Sequence, residues 1–124
     1  MITRRNFMAA GAAMVAGAAA GPVFAGGHGR LGTFSGRSGH VTGGTVEIVG
    51  DMVHLLDDFI LDGAPDPKVA LGYNGVKTEW ILAPLAKNKG KSSYKVPSNI
   101  DLDHVNEVWI WCEEFSVPLG YAKI

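Results

Sequence analysis

The chain has 124 residues, 11 Lys and Arg against 12 Asp and Glu, 47% hydrophobic residues, 17 glycines and one cysteine. That is room for one domain with one modest core, and a near-neutral balance with no basic stripe gives no case for nucleic acid as a partner. The single cysteine, Cys112, excludes an internal disulfide framework.

The chain opens Met1-Ile2-Thr3-Arg4-Arg5-Asn6-Phe7-Met8, continues as an uncharged Ala/Gly/Met/Val run from Ala9 to Gly21, and then reads Pro22-Val23-Phe24-Ala25-Gly26. A positive start, a short apolar run and a small-residue end are the order of a signal peptide, with cleavage expected after Ala25. The run is too short and too rich in Gly and Ala for a comfortable span of about 20 apolar residues, so no retained membrane span is expected. Arg4, Arg5 and Phe7 resemble the twin-arginine consensus, whose route carries folded proteins; an ordinary secretory signal with two arginines is the alternative. Either way the working protein is expected to be periplasmic or otherwise exported. Removing residues 1–25 takes two basic and no acidic residues, leaving 99 residues with 9 basic and 12 acidic, a formal charge of −3. Lys87, Lys89, Lys91 and Lys95 alternate with Asn, Gly and Ser, which reads as a solubilising loop.

Residues 26–44 form a Gly-rich leader in which Leu31-Gly32-Thr33-Phe34 is able to start a first short strand. Residues 45–124 carry the core of the domain. Thr45-Val46-Glu47-Ile48-Val49, a Gly50-Asp51 turn and Met52-Val53-His54-Leu55-Leu56 read as a hairpin that buries Val46, Ile48, Val53 and Leu55. The stretch Asp57–Pro67 has too many turn formers for one regular element. Val69, Leu71 and Tyr73 then line one side of a strand, whereas residues 74–90 show little period and leave Trp80-Ile81-Leu82 as strand or buried turn. Ser92–Val96 is a short strand stopped by Pro97, and residues 99–105 look like one helical turn behind a polar cap. Glu107–Cys112 is the strongest strand, apolar on both faces as if covered on both sides. Phe115, Val117, Leu119 and Tyr121 alternate in a last strand, where Pro118 demands an edge or a bulge. The sum is an all-β fold, a compact sandwich or barrel of about seven to nine short strands with no long helix.

Leu56-Asp57-Asp58-Phe59, then Pro65-Asp66, then a Tyr94-containing strand ending at Pro97, and finally Val108-Trp109-Ile110-Trp111-Cys112-Glu113-Glu114-Phe115-Ser116-Val117 resemble the DM-thirteen domain. The resemblance runs from about Leu31 to Ile124. It implies a small single-cysteine β domain associated with electron transfer, in which Cys112 is the residue of interest. Members stand beside DOMON and b-type cytochrome modules; neither is present here, so the resemblance implies a separate redox protein as partner and no stand-alone enzyme.

Cys112 ends the most hydrophobic strand, where a thiol is either an inert core residue or a redox centre, since the thiolate is the reactive and metal-binding form. No Cys-x-x-Cys-His occurs, which excludes covalent c-type haem. Haem or copper held by some combination of Cys112, His40, Met52, His54 and His104 is compatible with their donor atoms. Asp57, Asp58, Asp62 and Asp66 offer oxygens to a cation, although Gly and Pro between them favour turn capping, and at least one of Asp58 and Asp66 is expected to accept backbone N–H bonds. The competing function is a non-catalytic binding or structural module that uses an aromatic surface (Trp80, Trp109, Trp111, Tyr94, Tyr121) or the acidic loop.

Overall fold

The structure, a computed structural model, describes residues 29–124. Arg4, Arg5, Phe7 and the expected cleavage site after Ala25 lie outside the described residues. In chain order the strands are β1 (Arg30–Gly36), β2 (Thr42–Gly43), β3 (Thr45–Val49), β4 (Met52–Leu55), β5 (Ile60–Leu61), β6 (Pro67–Gly72), β7 (Val76–Pro84), β8 (Ser92–Lys95), β9 (Glu107–Cys112) and β10 (Val117–Lys123), with a 3-10 turn at Leu102–His104. The fold is all-β, as expected. Eight strands form one antiparallel sheet in the order β7-β6-β9-β10-β1-β3-β4-β8, and the dipeptide strands β2 and β5 pair separately. The two edges of the large sheet approach one another: the Ala86 N–H, just past β7, donates to the Tyr94 hydroxyl of β8 at 2.8 Å. The sheet is thus a nearly closed barrel, which reduces the exposed edge.

β1 is the seam of this barrel. Arg30–Thr33 pairs with β3 and Phe34–Gly36 pairs with β10, so one strand joins the two halves. The β3–β4 hairpin forms as its alternation predicts, with Gly50 at φ +58° in the two-residue connection. Val46, Ile48, Val53 and Leu55 are all buried, and with Phe34, Phe59, Val69, Leu71, Val108, Ile110 and Leu119 they make one core.

Three regions differ from the sequence expectations, each for a physical reason. Tyr73 is exposed and lies past the end of β6, because Asn74 (φ +52°) and Gly75 (φ +130°) turn the chain there. That Asn-Gly pair is a strong turn signal, and the strand it launches, β7, is nine residues long. β7 escaped the periodicity because its pairing with β6 shifts register twice and its burial does not alternate. In β9 the inner face is covered, with Val108, Ile110 and Cys112 buried, but Trp109 and Trp111 are only half-buried. In β10, Pro118 stands opposite Trp111 and Gly120 opposite Ile110, so Leu119 is the extra residue of a bulge. The bulge flips the parity of the strand: Val117 pairs with Cys112 on the inside, whereas Tyr121 pairs with Trp109 on the outside. Phe115 is in the preceding turn and is exposed.

Candidate functional site

Cys112 is the last residue of β9, opposite Pro67 of β6 on one side and Val117 of β10 on the other. Its side chain is 1% exposed, and the thiol donates to the Pro65 carbonyl at 3.0 Å. The sulfur thus lies against the backbone of the Pro65-Asp66 loop. Asp66 (φ +53°) immediately precedes Pro67, and Ser116 (φ +54°) immediately precedes Val117. Both partners of Cys112 are thus entered through a non-glycine residue in the left-handed region, a conformation that costs on the order of 1–3 kcal/mol.

Lys68 ties the two loops together. Its ammonium, on a side chain only 14% exposed, donates to Asp66 Oδ1 at 2.7 Å and to Glu113 Oε1 at 2.6 Å. The Glu113 N–H also donates to the Asp66 carbonyl at 3.2 Å. Asp66, and then Glu113, hold the Lys68 ammonium above its ordinary pKa. Sequence reasoning missed Lys68, since nothing local in the chain links it to Glu113.

The other face of β9 is polar and aromatic. Glu107 is buried at 6% exposure, and its Oε1 accepts from the Gly75 N–H at 2.7 Å and from the Trp109 indole N–H at 3.1 Å. Trp109 stacks on Tyr121 with centroids 4.8 Å apart and planes 23° from parallel, and the Arg37 guanidinium lies 4.1 Å from the Tyr121 centroid. Gly72 makes the close fit, since a Cβ there would lie 2.6 Å from Trp109 Nε1. Glu107 was readable only as the polar first residue of an apolar strand.

The acidic residues act separately. Asp58 caps the Gly44 turn: Oδ1 accepts from the Thr45 N–H at 2.8 Å and Oδ2 from the Thr45 hydroxyl at 2.7 Å. Asp62 accepts from the Val41 N–H at 3.0 Å and pairs with His40 Nδ1 at 2.9 Å, and these two contacts, in that order, hold its carboxyl below the ordinary carboxylate pKa. Asp57 is exposed, and Asp66 belongs to the Lys68 clamp beside Cys112.

The proposed haem or copper ligands are distributed among different partners. His54 Nδ1 lies 2.7 Å from Ser93 Oγ, and Met52 shares the outward side of β4 with it. His104 Nδ1 pairs with Asp101 at 3.2 Å, and His40 with Asp62. Among the described residues, no three of His, Cys, Asp and Glu converge on a point that would hold a metal ion. The donor set in this geometry does not fit haem or copper ligation by Cys112 with these histidines.

No helix among the described residues is long and apolar enough to cross a membrane, which says nothing of strand-built spans. Neither a curated protein nor a solved structure matches the chain. A family profile described as "Electron transfer DM13" matches residues 33–124, nearly all of the described fold. The chain therefore belongs to the DM-thirteen family of electron-transfer domains.

Proposed function

We propose that this chain is an exported electron-transfer accessory domain in which Cys112 is the redox centre and a separate redox protein supplies or accepts the electrons. The observation that carries the reading is the setting of the only thiol. Cys112 is buried at the meeting of β6, β9 and β10, donates to the Pro65 carbonyl, and is flanked by two loops in strained backbone that Lys68 pins together. Strain of this kind is costly to keep, and it gathers where a loop must hold a particular arrangement. One cysteine cannot close a disulfide within the chain, so thiol–disulfide exchange at Cys112 needs its second sulfur from the partner. Deprotonation of Cys112 must precede it, and opening of the Pro65-Asp66 loop exposes the sulfur.

The twin-arginine reading of Arg4, Arg5 and Phe7 accords with this setting, because a domain folded before export has its thiol covered before it meets an oxidising compartment. Export should fail when Arg4 and Arg5 are both replaced by lysine; normal export of that variant would remove the twin-arginine route.

Thiol labelling of the native mature protein tests the redox centre. Cys112 is expected to react under native conditions, faster than global unfolding allows, through local opening of the loop. Labelling only at the unfolding rate, with a colourless and metal-free protein, would favour the second reading, a binding module. The exposed Phe115 beside Glu113 and Glu114, on the turn that follows Cys112, is the observation on its side.

A further inference from the structure

We infer that Trp109, with Glu107 as its proton acceptor, is a second redox-active site of this domain, able to relay single electrons across the outer face of β9. The inference rests on the electron-transfer reading of the family and is independent of Cys112.

Indole is, with the phenol of tyrosine and the thiol of cysteine, one of the few side chains that can give up a single electron, and its N–H becomes strongly acidic when it does. Relay through Trp109 therefore needs somewhere for that proton to go. Nε1 already donates to Glu107 Oε1 at 3.1 Å, so the acceptor is in place before oxidation. Glu107 is nine-tenths buried, and among the described residues it forms no salt bridge, so no cation competes for its charge. Its second donor, the Gly75 N–H, fixes the carboxylate, and the missing side chain at Gly72 lets the indole lie close against β6.

The charges around the stacked pair point in one direction. An anion touches Trp109, and a cation lies on Tyr121. Positive charge is stabilised beside Glu107 and destabilised beside Arg37, so an electron vacancy shared by the stack settles on Trp109. The indole is half-buried, which leaves it open to an electron acceptor at the surface.

The step balances as follows. Trp109 passes one electron to an oxidised one-electron acceptor, such as a metal centre on a partner protein, while its Nε1 proton moves to Glu107 Oε1. A reduced donor then returns one electron to the neutral indolyl radical, and the proton goes back to Nε1. One electron has passed from donor to acceptor through Trp109, and no proton has been gained or lost.

Flash-quench oxidation of the purified mature protein with a photogenerated ruthenium(III) polypyridyl complex tests this without any partner. Transient absorption is expected to show the neutral tryptophanyl radical, formed more slowly in D2O. Glu107→Gln, which retains an oxygen for the Gly75 N–H but no base, should shift the signal to the protonated radical cation. Trp109→Phe should lose most of the radical yield, whereas Trp111→Phe should lose little. The Cys112→Ala protein should keep the tryptophanyl radical yield and its solvent isotope effect although its thiol chemistry is gone, which separates this inference from the thiol reading. An unchanged yield in Trp109→Phe overturns the inference. So does a neutral radical formed by the Glu107→Gln protein as in the wild type, or, if that variant does not fold, the absence of a solvent isotope effect in the wild type.

Discussion

The two faces of β9 are built to different ends. Inward, Val108, Ile110 and Cys112 have essentially no exposure and belong to the core. Outward, Trp109 donates to Glu107 and stacks on Tyr121, and Trp111 is half-buried. One strand of six residues thus carries both fully buried core residues and a polar aromatic series. The difference teaches that burial here does not by itself mark the inert residues. Cys112 is as buried as Ile110, but its polar contact is to a loop that is strained and ionically pinned, whereas Ile110 is an apolar member of the core with no polar contact to make.

The comparison is broken most severely from the inside. Ile110→Ala should cost about 2–5 kcal/mol in denaturant unfolding, through lost burial and an unfilled cavity. Trp111→Phe on the opposite face keeps a ring and leaves solvent on one side, so it should cost clearly less. Equal losses would mean that the two faces do not differ as described. At the third position of the inner face, Cys112→Ala removes only a sulfur and should cost less than Ile110→Ala while releasing the Pro65 carbonyl. Faster proteolytic nicking of the Pro65-Asp66 loop in that variant would report the release.

Away from β9, Asp58→Ala leaves the Thr45 N–H without its acceptor at the turn that starts β3 and should cost about 1 kcal/mol, as loss of a side-chain cap does. Asp57→Ala, with an exposed side chain, should be near neutral in the same melt. A smaller effect than that of Asp58 belongs to Lys68. Its pKa is raised in the folded state, so the clamp's contribution is fully present below the ordinary lysine value and is lost as pH rises through the folded value. Lys68→Met should therefore erase a shallow alkaline loss of stability, small because the partner carboxylates are exposed and screened by solvent. A wild-type alkaline limb that persists in Lys68→Met would assign it to another group.

How much of this was legible in the chain follows from where each signal is stored. The β3–β4 hairpin and the inner face of β9 are local patterns, and alternation alone places Val46, Ile48, Val53, Leu55, Val108 and Ile110 in the core. The need for an edge or a bulge at Pro118 was equally local, but the outcome, a bulge that delivers Tyr121 to the outer face opposite Trp109, depends on which residue the bulge inserts. β7 was missed because a strand with irregular pairing loses the two-residue period, although Asn74-Gly75 announced its turn. Of the site, Cys112 and the capping role of Asp58 were readable from residue type and motif. The Lys68 clamp and the Glu107–Trp109–Tyr121–Arg37 series join residues far apart in sequence, and only the sheet register brings them together. The same register disperses His40, His54 and His104, whose donor atoms looked like one set in the sequence and are three separate hydrogen-bonding groups in the fold.

The claim that the buried inner end of β9 is a redox centre is tested most directly by an equilibrium redox titration of the native mature protein, with free thiol counted at each potential and Cys112→Ala run in parallel. The account predicts a reversible loss and recovery of one thiol per chain in the wild type, in the presence of a thiol-disulfide couple, and no corresponding transition in the variant. A Cys112 that remains a free thiol at every potential at which the protein stays folded would contradict it.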